Sequence, residues 1–288
     1  MKINKIEIGQ LGLIQIDLKI IDIGTKGPRL TILAGLHGNE SEGILVIQKI
    51  LEEVKKVDNM RLKIIPCANP MGLVLSKRQE PIDCVDLNRS FPGVIDGNWG
   101  QRLTYNLFKL IEDSDMLIDL HSYRGEIPLT AIFMNNAKKK CRQKQMKMLS
   151  IIEPDLIWKL DVKSDNGFGG SLGPILAENG IANIGVEIAR QGENRSKQIN
   201  KVSKNIVKFI KNWPKESKNK KIIKIIKWHE QKSNWSGVFK SKVRLFQKVN
   251  KNDVIGEIFR LDNFKIENVK VLESGLIIML NDNNINDR

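Results

Sequence analysis

Residues 30–54 constrain the chain most. Leu30-Thr31-Ile32-Leu33-Ala34-Gly35-Leu36 is a short apolar run bounded by Pro28 and Gly38, the pattern of a buried strand. The run stops at His37, and beyond it Ile44, Ile47, Leu51 and Val54 recur at helical spacing, with Asn39 or Ser41 placed to cap the helix. Residues 3–8 and 13–23 read as strands joined by a turn at 9–12, residues 61–67 as a strand ending at the turn signal Asn69-Pro70, and residues 115–121 as a further strand that again ends in a histidine. Helical patterns follow at Leu103, Leu107, Leu110 and Ile111 and over 137–152, 174–179 and 194–213, with strands at 129–134 and 183–188 and a glycine-rich loop at 164–171. This alternation predicts an α/β fold, a mostly parallel sheet flanked by helices on both faces.

The pattern changes near residue 214. Residues 214–221 turn to lysine, serine and asparagine, a linker composition. Residues 222–227 are short enough to favour a strand entering a second unit over a basic amphipathic helix for a membrane surface. From Val238 on, short apolar runs alternate with turn residues and no helix-length pattern returns, which predicts a small all-β unit. The expected organisation is a domain of residues 1–215 and a small β domain of residues 222–288.

Composition narrows the partners. The N-terminus alternates charged and apolar residues without the continuous apolar stretch of a signal peptide, and no run approaches the length of a membrane span. Three cysteines in irregular spacing argue against a disulfide framework and fit a reducing cytoplasm. The net charge of +14 raises the question of a polyanionic partner. The densest basic stretches, 138–147 and 215–227, lack aromatic residues at a stacking spacing, so the lysines read as solvated surface that can draw in an anionic small substrate. Neither nucleic acid nor membrane is expected as a partner, and a homo-oligomer is compatible with the sequence.

Chemistry concentrates where the strands end. In open α/β sheets ligands bind in the crevice beyond the carboxyl ends of the strands. His37 and Glu40 fall on such a strand-to-helix turn, close enough for an imidazole nitrogen and a carboxylate to hold one divalent ion. Two histidines, one glutamate and a water form a known catalytic zinc arrangement. His121 repeats the geometry of His37 and reaches the same edge if the two strands neighbour each other. The alternative is that these are hydrogen-bonded core histidines and that the His37/Glu40 spacing is chance. The third histidine of the chain, His229, lies beside Trp228 and reads as structural. Residues 71–97 form an irregular stretch too long for a mere connection, which marks it as functional.

Several motifs then fall in order. Gly35-Leu36-His37-Gly38-Asn39-Glu40, Asn69-Pro70-Met71-Gly72, Arg78, Asp86-Leu87-Asn88-Arg89-Ser90-Phe91-Pro92-Gly93, Ile118-Asp119-Leu120-His121 and Val186-Glu187 together resemble the succinylglutamate desuccinylase/aspartoacylase family of the wider zinc carboxypeptidase group. The resemblance covers residues 28–192, and the C-terminal stretch around residues 252–258 is similar to the biotinyl/lipoyl-like barrel those proteins often carry.

What it implies can be set out residue by residue. His37, Glu40 and His121 match the family's ligands to one Zn2+ per chain. Glu187 matches the general base that takes a proton from the attacking water and passes it to the departing amine. Arg78 matches the cation that stabilises the oxyanion. Asn88 and Arg89 match the pair that grips the substrate carboxylate. Asp119, on the same side of its strand as His121, suits a partner for a ligand histidine or a buried ion pair. Tyr123 and Arg124 lie outside the matched motifs, and Arg124 adds positive charge to the pocket. Cys67 and Cys84 read as small apolar fillers.

The expected function is therefore zinc-dependent hydrolysis of the amide bond of an N-acyl amino acid or related small carboxylate. One rival is a zinc carboxypeptidase acting on a peptide or cell-wall fragment. Another is a basic, non-catalytic binding protein, against which intact Glu187 and Arg78 argue.

Overall fold

The structure, a computed structural model, describes residues 1–11, 14–161, 168–213, 225–226, 229 and 231–280. Strand β1 (Lys2–Leu11) and strand β2 (Ile14–Ile23) pair antiparallel, and β1 passes through a bulge between Glu7 and Gly9 instead of turning there. Gly9, Gln10 and Leu11, expected in the turn at 9–12, instead stay in register with Ile16, Gln15 and Ile14. Next come β3 (Arg29–Ala34), helix α1 (Glu42–Glu53) and β4 (Arg61–Ile65). Asn69-Pro70 opens α2 (Pro70–Val74), where a loop was expected: the Asn69 side chain accepts from the Gly72 N–H and Pro70 needs no partner at the first turn.

Helix α3 (Trp99–Ile111) starts in a reciprocal cap between Asn98 and Gln101 and buries Leu103, Leu107 and Ile111. β5 (Met116–Tyr123), β6 (Thr130–Met134), α4 (Lys139–Ile152), β7 (Leu156–Leu160), α5 (Leu172–Glu178), β8 (Ala182–Ala189) and α6 (Asn194–Asn212) complete the unit.

The nine-stranded sheet has the order β1-β2-β4-β3-β5-β8-β6-β7-β9, with β9 being Ile225–Ile226. Its centre, β4-β3-β5-β8, is parallel, and β6 pairs antiparallel with β8, so that β6, β7 and β9 run the opposite way. Ile225 and Ile226 pair with Ile157 and Trp158 at the edge of this sheet, so that segment does not enter the β unit as expected. The linker at 214–221 lies outside the described residues, as do 164–167 of the glycine-rich loop.

Alternate residues of each central strand face opposite layers. Ile32 and Ile118 join a core with α1, α4 and α6, while Leu33 and Leu117 join one with α3 and α5. On α1 the buried stripe is Val46, Ile47 and Ile50, followed by Val54; of the expected stripe Ile47 and Val54 are buried, while Ile44 and Leu51 are half-buried. Ser41 sits at the helix start but its side chain makes no capping bond.

The C-terminal region forms two small antiparallel sheets. One is β10 (Gly237–Ser241), β12 (Val254–Arg260) and β13 (Ile266–Lys270), and the other is β11 (Lys248–Val249) with β14 (Gly275–Leu276). It touches the larger unit at a bridge between Glu126 and Leu280. His229 is exposed, 4.0 Å from Glu273, which removes the structural role expected of it. Among the described residues no helix is long and apolar enough to cross a membrane.

Candidate active site

β3 and β5 are hydrogen-bonded neighbours in the parallel sheet, so the chain leaves both at one edge. His37 follows β3 on a turn closed by the Glu40 N–H donating to the His37 carbonyl at 3.1 Å. Gly35 bends the chain there with φ +64°, a conformation that favours glycine, and a Cβ on Gly38 would lie 2.0 Å from the Gly72 carbonyl carbon. The turn is thereby pressed against α2 and fixed.

The Glu40 carboxylate sits between the two histidines. His37 Nδ1 lies 2.9 Å from Oε1 and His121 Nδ1 3.1 Å from Oε2, and the Ser122 N–H donates to Oε2 at 3.0 Å. The imidazole centroids are 5.0 Å apart, and one donor atom from each of the three residues falls within 4.8 Å of the others. Exposures of 3% for His37, 5% for Glu40 and 6% for His121 put the cluster out of bulk water. The far nitrogens are held too: His37 Nε2 is 3.2 Å from Asp86 Oδ1 and His121 Nε2 is 2.9 Å from Asp119 Oδ2. An aspartate on each Nε2 fixes both rings and leaves both Nδ1 atoms directed at one point.

This arrangement fits a divalent ion. Burial opposes ionisation of Glu40, but His37 and His121 outweigh it and hold the carboxyl well below the usual carboxylate range. Burial likewise opposes charge on His121, and Asp119 and Glu40 outweigh it, so that imidazole holds positive charge well above its ordinary pKa. Three buried donors converge where positive charge is favoured, and two imidazoles plus a carboxylate leave a coordination position open in a tetrahedral site.

Glu187 stands beside the cluster, directly across from His121 in the β5/β8 register. Burial pushes its carboxyl up to about 7, against the pull of the nearby His121 charge. Arg78 donates to Glu40 Oε1 at 3.2 Å and to Asp86 Oδ2 at 3.3 Å, with 46% of its side chain exposed. Asn88 Oδ1 accepts from the Leu172 N–H at 2.9 Å, while Arg89 Nη1 donates to the Asn88 carbonyl at 2.7 Å and to Ser171 Oγ at 3.1 Å. All seven expected site residues line one cavity of about 810 Å3, together with Tyr123 and Arg124.

Sequence reasoning passed over two features. Asp86, quoted only as part of a polar motif, is the acceptor that orients His37. β7 went unread, although it brings Trp158 and Leu160 to the cavity, and the apolar run Leu156-Ile157-Trp158 was the available signal. Cys84 is exposed with φ +58° and so is no filler, while Cys67 is half-buried and burial pushes its thiol up to about 11, which makes it inert.

The loop that carries Arg78 to Arg89 rests on a carboxyl pair, buried Glu80 and half-buried Asp83. Glu80 is buried and its Oε2 accepts from the Ile82 N–H at 2.9 Å and the Asp83 N–H at 3.2 Å, while Asp83 Oδ2 accepts from the Gly100 N–H at 2.8 Å. Burial, with the neighbouring Asp83 carboxylate, pushes Glu80 up to about 7 from 4.5. A raised acid binds its proton more tightly folded than unfolded. Its stabilising contribution is therefore complete below pH 4.5 and is lost as pH climbs through about 7. Glu80→Gln, which mimics the protonated acid, is expected to raise Tm by about 3 °C at pH 8 and to change it little at pH 4.5. Equal shifts in thermal melts at both values would contradict this.

A family model described as the succinylglutamate desuccinylase/aspartoacylase catalytic domain matches residues 26–212. The chain is 34% identical over 113 residues to the N-alpha-acetyl-L-2,4-diaminobutyric acid deacetylase of Halomonas elongata, a match over 38% of this chain and 33% of that protein. It thus spans about a third of the length of the curated relative it matches. A succinylglutamate desuccinylase/aspartoacylase from Rhodobacter sphaeroides superposes with a TM-score of 0.77 at 16% identity, covering 96% of this chain and 88% of that one. The product-bound ectoine utilization protein EutE (DoeB) from Ruegeria pomeroyi gives 0.74 at 20% identity, over 92% and 83%. A metallo-carboxypeptidase from Burkholderia cenocepacia gives 0.58 at 12% identity, over 72% and 64%. These structures share the fold.

Proposed function

This chain belongs to the succinylglutamate desuccinylase/aspartoacylase family, and on that premise we propose that it is a zinc-dependent deacylase cleaving the acyl amide bond of an N-acyl amino acid. The observation that carries the reading is the convergence of one donor atom each from His37, Glu40 and His121 within 4.8 Å, with Glu187 alongside. The name of the Halomonas elongata relative, a deacetylase of an acetylated amino acid, supports an acyl amino acid as substrate.

His37, Glu40 and His121 would hold the ion, which supplies polarisation of the acyl carbonyl and acidification of a water. Glu187 takes the proton of the attacking water and returns it to the amide nitrogen as the C–N bond breaks, releasing a carboxylate and an amine. A carboxyl already raised by burial suits both halves of that transfer, because its affinity for the proton is neither too weak nor too strong near neutrality. Arg78, whose exposed guanidinium reaches the ligand carboxylate, is placed to meet charge developing on the acyl oxygen. Asn88 and Arg89, braced on the start of α5, bind the substrate carboxylate and set the amide against Glu187. We place the catalytic unit at residues 1–226, because β9 completes its sheet, with the small β region beyond it.

The test is release of free amine from N-acetyl and N-succinyl amino acids, before and after chelation and zinc return. Hydrolysis lost to the chelator and restored by zinc is expected, and hydrolysis indifferent to the chelator would overturn the reading. Asp119→Asn, which weakens the acceptor on His121, is expected to lower zinc affinity about 10–100-fold in competition with a chelating dye while the chain stays folded. Unchanged affinity would remove Asp119 from the site.

A further inference from the structure

The cavity does not end at the ion cluster. Along β8, Asn183, Gly185 and Glu187 line it in alternation, so its floor runs roughly 13 Å down the strand from Glu187. The walls of this lower part are Ile132 and Met134 of β6, Trp158 and Leu160 of β7, and Phe168. Trp158 and Phe168 meet edge to face, with centroids 5.6 Å apart and planes at 80°. Gly185 keeps the floor open: a Cβ there would lie 3.5 Å from Ile132, ordinary contact, so the glycine leaves room and relieves no clash.

The cations lie elsewhere. Lys77 and Arg78, together with Arg124 and Arg190 beyond the carboxyl ends of β5 and β8, line the cavity on the ion side. Among the described residues the one charged side chain at that depth is the aspartate Asp119, opposite Gly185 in the β5/β8 register and bonded to His121 Nε2 at 2.9 Å, and the Asn183 amide donates to the Gly173 carbonyl at 3.0 Å and the Ile181 carbonyl at 3.2 Å. The two regions join at Arg89, whose guanidinium lies 5.1 Å over the Phe168 ring.

That junction orients a substrate. Resting on the deacylase reading above, a carboxylate on Arg89 and an amide against Glu187 place the α-carbon between them. Its remaining substituent then turns into the apolar compartment, and the acyl group lies on the cationic side. We propose that this compartment is the side-chain pocket and that the chain acts on N-acyl derivatives of amino acids with large apolar side chains, aromatic ones included. An aspartate or glutamate side chain would be stripped of water there without a counter-charge and would face the Asp119 carboxylate, whereas an aromatic ring gains from burial.

The test compares kcat/KM of the zinc-loaded protein on N-acetyl-L-phenylalanine, N-acetyl-L-methionine, N-acetylglycine and N-acetyl-L-aspartate. The apolar substrates should exceed N-acetyl-L-aspartate by about 100-fold. In Gly185→Leu, which fills the floor, the phenylalanine-to-glycine ratio should fall by at least about 30-fold. Hydrolysis that prefers N-acetyl-L-aspartate, or a ratio that Gly185→Leu leaves alone, overturns the pocket assignment and leaves the deacylase reading standing. No hydrolysis of any of the four counts against the deacylase reading instead. The pocket is then decided by calorimetry of N-acetyl-L-phenylalanine and N-acetyl-L-aspartate on zinc-loaded Glu187→Gln: tighter binding of the phenylalanine compound is expected, and equal or reversed affinities overturn it.

Discussion

Glu187→Gln is expected to lower kcat by about 10^3–10^4-fold, the upper range for loss of a general base, while zinc stays bound at one equivalent. The substitution keeps the shape of the side chain and removes only its ability to take a proton. Glu187 lies across from His121 on the neighbouring strand and is not one of the three converging donors, so the ion loses no ligand. Folding should not suffer either. Burial already pushes this carboxyl up to about 7, so a neutral amide removes a charge that the folded state disfavours at higher pH. Amine release measured beside elemental analysis of the same preparation checks both halves. A variant that loses its zinc would make Glu187 a ligand, and one that keeps its turnover would remove it from the chemistry.

Glu40→Ala should have the second largest effect, and on two properties at once. The Glu40 carboxylate is shared by His37, His121, the Ser122 N–H and Arg78, and removing it leaves the two histidines and the Ser122 N–H without that acceptor in a buried place. Breaking a buried charged pair costs about 3–5 kcal/mol, which for a chain of this size lowers Tm by about 10 °C. Zinc affinity should fall by more than the roughly 10–100-fold typical of changes around a ligand, because a ligand itself is gone. Wild type should gain thermal stability as zinc is added, by simple mass action, and Glu40→Ala should not. Scanning calorimetry with and without zinc separates the two effects. A variant with the wild-type zinc response would show that the ion binds elsewhere.

The cluster was readable because it sits where local pattern is strongest. Strand-length apolar runs that end at His37 and His121 place both side chains at strand ends, and two parallel strands side by side bring them together. The alternation of strands and helices was readable for the same reason, since periods of two and 3.6 are written residue by residue. What escaped depends on contacts between distant segments. Ile225 and Ile226 look like the start of a β unit, yet their partners are Ile157 and Trp158, far back in the chain and on a strand that was not read. Asp86 looks like any polar loop residue until the loop folds over His37. The apolar compartment draws its walls from β6, β7, β8 and Phe168, so no single stretch of sequence announces it. The bulge at Glu7 and Gly9 carried β1 through a glycine that locally favours a turn, because pairing with β2 holds the strand as far as Leu11.

The most direct measurement is a zinc titration of the metal-free protein, with amide hydrolysis of an N-acyl amino acid followed at each addition. Activity should rise in proportion to zinc and break at one equivalent per chain, and His121→Ala, which removes one of the converging nitrogens, should recover none over the same range. Full turnover in the metal-free protein, or recovery in His121→Ala that matches wild type, would contradict the assignment of the reaction to this cluster.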